Sequence, residues 1–174
     1  DNLKIGALLV TIDFQKAFDS LNHTFIIESC RKFGIPEYML VWIETLLTNQ
    51  ESCVINGGTT TKYFKLERGA QQGDPIAAYL FIIALEMLFI MVKKDEDIKP
   101  LAMCNSKFLY SAYADDVSFF LKDSDSVYAL VRVIKTFSKY SDLKPNYDKC
   151  EIAGIGVLKG VTWALCGFKP VDLT

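Results

Sequence analysis

The run AAYLFIIALEMLFIMV, from Ala77 to Val92, breaks its apolar character once, at Glu86. It is shorter than the roughly 20 residues that a membrane span requires, so it reads as a buried core helix, and no membrane partner is expected. Asp74 is a natural N-cap for it and Pro75 suits the first helical position. With 174 residues, 51% of them apolar, the chain is long enough to bury one good core around such a helix and too short to promise two.

The rest of the chain supplies the other layer. Residues 5–12 are β-rich and mostly apolar, as suits a strand buried on both faces, and Asp13 stands where it ends. Two amphipathic helices follow. One carries Ile26, Ile27, Cys30 and Phe33 and is stopped by Gly34 and Pro36; the next carries Met39, Leu40, Ile43, Leu46 and Leu47. SCVINGGTTTKYFKLERG reads as a hairpin turning at Asn56-Gly57-Gly58. Beyond Pro100, two strands flank Asp115 and Asp116, then a helix presents Val127, Leu130, Val131, Ile134 and Phe137 on one face, and KCEIAGIG and VTWALCGF close the chain as a β-rich stretch. With no repeat, low-complexity tract or linker, one α+β domain is the economical expectation.

A net charge of −2 and a pI near 5.4 give no basic footprint of the kind that neutralises many phosphates. The five cysteines are scattered, odd in number and never spaced C-x-x-C, and His23 is the only histidine, which disfavours a zinc site or a disulfide framework and suits a reducing intracellular setting. No signal-peptide pattern opens the chain, which reads as a cut-out from something longer.

AYADDVSFF, residues 112–120, sets two like charges side by side on a tight hairpin whose nearest cation in sequence is Lys122. Adjacent carboxylates there repel, and a divalent cation offsets the repulsion. Mg²⁺ takes a few carboxylates together with water and phosphate oxygens, so a pair of acids is half a site. Asp13, at the end of an apolar strand next to the hairpin, is the best third acid, because a solvated surface charge is hard to place there. Three such acids on neighbouring strands suit two metal ions about 4 Å apart, the arrangement for in-line displacement at phosphorus. Phosphoryl or nucleotidyl transfer is the expected chemistry.

TIDFQKAFDSLNH, RGAQQGDPIAAYLF, AYADDVSFF and LKPNYDKCEIAGIG resemble, in this order, the A, B, C and D motifs of reverse transcriptases, most closely those of non-LTR (LINE-type) retrotransposons. Y-A-D-D alone is a weak match; Q-G-D-P upstream and D-F-x-K-A-F-D before it make it specific. The resemblance implies a right-hand polymerase palm over residues 1–174, an antiparallel sheet with helices packed on one face plus a partial fingers insertion. It further implies RNA-templated DNA synthesis, with RNA template, DNA primer and dNTPs as partners and two Mg²⁺ ions, replaceable by Mn²⁺, as cofactor.

By the same resemblance, Asp13 and Asp115 bind the ions, Asp116 completes the pair and the backbone carbonyl of Phe14 assists. Phe18 stacks under the incoming sugar and excludes a 2′-hydroxyl, while the amides of Lys16 and Ala17 meet the triphosphate. Gln72 and Gly73 lie against nucleotide and template, where glycine permits close backbone approach. Tyr113 touches the primer end, with a core tyrosine as the competing reading. Lys149 protonates the leaving pyrophosphate, with Lys144 as its rival.

Other residues have plainer readings: Asp19 as a helix cap or its neighbour, Asp74 as a cap, Gln71 as solvent-facing, His23 as a helix-surface residue. Ala77 and Ala78 stand where many relatives have Ser-Pro or Ser-Ala. The basic finger strands, primer grip and thumb lie outside the chain on this reading, so the isolated segment is expected to polymerise little or not at all. An endonuclease domain is expected in a parent polyprotein acting in cytoplasm and nucleus. A group II intron-type or other palm polymerase, and an inactive palm-like remnant, are the alternatives.

Overall fold

The computed structural model describes residues 6–48, 50–71, 73–159 and 165–172. In chain order, β1 (Gly6–Ile12) leads into a single turn, α1 (Ala17–Ser20), then α2 (His23–Lys32) and α3 (Glu37–Thr48). Four short strands follow, β2 (Glu51–Ser52), β3 (Ile55–Asn56), β4 (Thr59–Thr60) and β5 (Phe64–Lys65), before the long α4 (Pro75–Lys94). The remainder is β6 (Leu101–Met103), β7 (Ser106–Phe108), β8 (Tyr110–Tyr113), β9 (Asp116–Leu121), α5 (Ser124–Ser141), β10 (Glu151–Gly156) and β11 (Lys169–Pro170). Two compact units result, Asp1–Gln15 with Leu88–Lys139 and Leu143–Thr174, and Lys16–Met87 with Tyr140–Asp142.

The first unit is built on a five-stranded sheet in the order β11-β10-β1-β9-β8, antiparallel except where β11 joins β10. β1 is central, as its apolar character predicts. Leu8, Val10 and Ile12 are fully covered on one face; on the other Ala7 is fully covered too, while Leu9 and Thr11 are half-buried, so burial on both faces holds at the start of the strand and gives way to alternation toward Asp13. Opposite the buried residues stand Leu121, Phe119 and Val117 of β9. Helices pack on this face. Phe89 of α4 stacks on Tyr110 at 4.2 Å and meets Phe119 at 6.4 Å, and Phe137 of α5 meets Phe14 at 6.5 Å.

α5 buries Val127, Leu130, Val131, Ile134 and Phe137, the stripe its sequence predicts. Asp123 starts it by accepting the backbone N–H of Ser126 at 2.9 Å and its hydroxyl at 2.7 Å. The β6–β7 hairpin was not legible in the sequence. It turns through Cys104 and Asn105, both at positive φ, where no glycine marks the bend. In the closing stretch, residues 161–164 of the expected VTWALCGF strand lie outside the described residues, and the short β11 completes the sheet instead.

In the second unit, Asn22 caps α2, its side chain accepting the N–H of Phe25 at 3.0 Å. Asp19 sits inside α1, so the expected cap role falls to Asn22. Ile26, Ile27, Cys30, Leu40, Ile43 and Leu47 are buried, but Phe33, Met39 and Leu46 are exposed. They flank stripes narrower than the sequence suggested. The hairpin β3–β4 turns on Gly57-Gly58, both at positive φ, and Asn56 pairs with Thr59 rather than joining the turn.

α4 starts as expected, with Asp74 Oδ1 accepting the N–H of Ile76 at 3.0 Å. By length and composition it is the only helix among the described residues that could cross a membrane. It buries Leu80, Phe81, Ala84, Leu85, Leu88 and Phe89, as a core helix does, yet leaves Tyr79 and Ile82 exposed. The expected buried helix is therefore covered on one side.

The loop before α4 is fastened to the chain around α1. Gly69 N–H donates to Leu21 O and Ala70 N–H to Phe18 O, each at 2.8 Å. Gly69 has φ of +85°, and a Cβ there would lie 2.8 Å from the backbone of Asp19. Gly69→Ala is therefore expected to cost about 1–3 kcal/mol, since backbone rather than a flexible side chain must yield. Calorimetry checks this; an unchanged thermal midpoint contradicts the close approach.

Candidate active site

In the first unit the acids are placed by register. Ile12 pairs with Val117, so the next residues outward, Asp13 just past the end of β1 and Asp116 at the start of β9, fall side by side, and Asp116 pairs in turn with Tyr113. Because Ile12 and Val117 point into the core, their neighbours project to the opposite, open face. Asp115 occupies the β8–β9 turn with Ala114, whose φ of 52° is a left-handed conformation that glycine would adopt more cheaply. Asp13 and Asp115 are half-buried and Asp116 is exposed.

Asp13 is braced from the segment 144–150. Its carbonyl accepts the N–H of Asn146 at 2.8 Å and the Cys150 thiol at 3.7 Å, while Gln15 N–H donates to Lys144 O at 2.9 Å. Burial pushes the Cys150 thiol above its ordinary pKa, which keeps it a protonated donor. Phe14 is buried and bridges to Pro145. Lys149 Nζ stands 3.9 Å from Asp13 Oδ2, a loose and largely exposed pair. Sequence reasoning missed Asn146 and Cys150, because their partner lies more than 130 residues away and no local pattern signals it.

The three acids do not converge as the sequence suggested: among the described residues no group of three His, Cys, Asp or Glu side chains could hold a metal ion. The Asp13 carboxylate has Lys149 for a neighbour, and Asp115 lies in the turn instead of on a strand. The donor chemistry nevertheless fits a hard divalent cation. All three donors are carboxylates, and their partial exposure leaves room for water and phosphate oxygens. Tyr113, beside them, is 86% exposed, which removes the core reading and leaves its ring open to a ligand.

The second unit holds the other predicted residues. Lys16 is exposed at φ 46° and precedes α1, Ala17 is buried, and Phe18 stacks on Phe81 with ring centroids 4.6 Å apart. Gly73 is exposed with φ of 93°; Gln72 lies outside the described residues, and Gln71 is exposed as expected. A cleft of about 570 Å³ is lined by Lys16, Asp19, Lys65, Arg68, Gly69 and Gln71 among others. His23 is not a bare surface residue: its Nε2 lies 2.7 Å from Gly69 O.

Comparison with known proteins agrees with this architecture. The family model for reverse transcriptase (RNA-dependent DNA polymerase) matches residues 1–162. A Pol polyprotein of the type-1 retrotransposable element R2 from Popillia japonica is 34% identical over 119 residues, covering 67% of this chain and 19% of that protein. The R2DM Pol polyprotein of Drosophila melanogaster is 27% identical over 147 residues, covering 84% of this chain and 14% of that one. The chain thus spans less than a fifth of either polyprotein.

In fold, the chain resembles the apo telomerase of Candida tropicalis truncated from its C-terminal domain, with a TM-score of 0.67 at 14% identity over 93% of this chain and 33% of that one. Telomerase of Candida albicans, solved with a fragment of telomeric RNA, gives a TM-score of 0.65 at 12% identity over 91% of this chain and 27% of that one. The fold is that of a right-hand polymerase, as expected. Reverse transcriptases generally use divalent metal ions, in keeping with the carboxylate set. With its motif order, its sheet and its relatives among retrotransposon Pol proteins in agreement, this chain belongs to the reverse transcriptase (RNA-dependent DNA polymerase) family.

Proposed function

We propose that this chain is the palm, with part of the fingers, of a retrotransposon polyprotein that copies RNA into DNA. The observation that carries the reading is the register that sets Asp13 beside Asp116 at the β8–β9 turn, on the open face of the sheet. Asp13, Asp115 and Asp116, with the Phe14 carbonyl, would hold two Mg²⁺ ions, for which Mn²⁺ can substitute. What the ions supply when bound is a primer hydroxyl of lowered pKa and neutralised charge on the transferring phosphate.

The chain's own residues do the rest. The amides of Lys16 and Ala17 meet the triphosphate. The Phe18 ring, steadied on Phe81, excludes a 2′-hydroxyl by size. Gln72 and Gly73 lie against nucleotide and template, and Tyr113 against the primer end. Lys149, whose ammonium stands 3.9 Å from Asp13 Oδ2, delivers a proton to the leaving pyrophosphate. The partners are an RNA template, a DNA primer and dNTPs, with an endonuclease domain in the same polyprotein and activity in cytoplasm and nucleus.

Primer extension on an RNA template by the parent polyprotein tests this. Asp115→Asn is expected to lower extension by about 10²–10³-fold or more, as loss of a group that supports transition-state charge does, without lowering thermal stability. Chelation should abolish extension and Mg²⁺ should restore it. Equal extension by the variant would refute the assignment.

Phe18→Ala is expected to raise ribonucleotide incorporation relative to deoxynucleotide incorporation, read as the ratio of kcat/KM values. An unchanged ratio removes Phe18 from sugar selection.

A further inference from the structure

We infer that His23 is a positioning residue for nucleotide selection, a latch that holds the loop before α4 against the segment carrying Phe18; this rests on the polymerase reading above. Both backbone groups of Gly69 are engaged, its N–H by Leu21 O at 2.8 Å and its carbonyl by His23 Nε2 at 2.7 Å. A carbonyl only accepts, so Nε2 carries the proton. The next residue, Ala70, donates its N–H to Phe18 O at 2.8 Å. The loop is thereby tied to the backbone of the selecting residue itself.

The histidine is held rigidly enough to act this way. It is the first residue of α2, and the Asn22 before it caps the helix. Asn22 is also tied by its own N–H to Ser141 O at 2.9 Å and by its side chain to Asp142 Oδ2 at 3.2 Å. Gly69 has no room to shift toward Asp19, where even a Cβ would come within 2.8 Å. The bonds to Leu21 and Phe18 run between backbone groups, whereas that of His23 comes from a side chain, so substitution removes it and leaves the other two in place. Its loss orphans a part-buried carbonyl and frees the loop to lift, which loosens the Ala70 bond that sets Phe18.

None of these groups belongs to the acid set, so the effect should fall on KM and on sugar discrimination more than on kcat. In the parent polyprotein, His23→Ala is expected to lower the deoxy-over-ribonucleotide ratio of kcat/KM by about fivefold, the share of one neutral hydrogen bond. His23→Gln, whose amide donates from a similar reach, should restore the ratio. In this chain alone, hydrogen exchange at the Gly69 and Ala70 amides should quicken in the alanine variant and recover in the glutamine variant. Unchanged exchange, an unchanged ratio, or a glutamine variant as impaired as alanine overturns the latch. If the amides respond but the parent polyprotein extends no primer at all, the polymerase reading falls instead, and the selection role with it.

Discussion

The pairing of β1 with β9 determines what the first unit can do. Leu8, Val10 and Ile12 share their face with Leu121, Phe119 and Val117, and every one of these side chains is at most 1% exposed. Because side chains alternate along a strand, a slip of one residue would send the buried set into solvent and turn the acids at the strand end toward the core. Burying six large apolar side chains is worth about 1.5–3 kcal/mol each before entropic costs, and charged carboxylates are costly to bury, so the correct register wins by a wide margin. The core thus places the acids through the register of the strands that carry them.

The same division of labour recurs at the strand end. The Asp13 carboxylate is left to solvent and Lys149, while its backbone is fastened by Asn146 and the Cys150 thiol. A backbone held by two donors and a side chain left open is the arrangement expected of a group that must bind something without moving. In the second unit Phe18 shows the same pattern, with its carbonyl engaged by Ala70 and its ring supported on one side by Phe81.

What the sequence showed plainly was what local pattern encodes. The helices α2 to α5, the Gly57-Gly58 turn, the Asp74 cap, the α5 stripe and the central place of β1 all follow from periodicity and turn chemistry, and the four motifs carried the family. Several contacts that position the candidate site were invisible because they join distant residues: His23 with Gly69, Cys150 with Asp13, Asn22 with Asp142. Exposure was misjudged for a related reason. Phe33, Met39, Leu46, Tyr79 and Ile82 are apolar residues at helical spacings, but only tertiary packing decides how wide a buried stripe becomes.

Backbone strain falls both in the motifs and outside them. Among the described residues, Gly34, Gly57 and Gly58 meet positive φ with the residue type that tolerates it, and Asn105 and Asp142 are the next most tolerant. Lys16 and Ala114 are neither, and each costs of order 1 kcal/mol in the left-handed region. Cys104 and Cys166 carry the same penalty away from the motifs, so strain alone does not mark a site. The coincidence is more informative. Lys16 bends the chain two residues before Phe18, and Ala114 bends it immediately before Asp115, so each strained residue shortly precedes a side chain to which the polymerase reading gives a role. Glycine at either position would relieve the strain but widen the conformations open to the turn, and a group that must be held in one place gains more from the narrower choice.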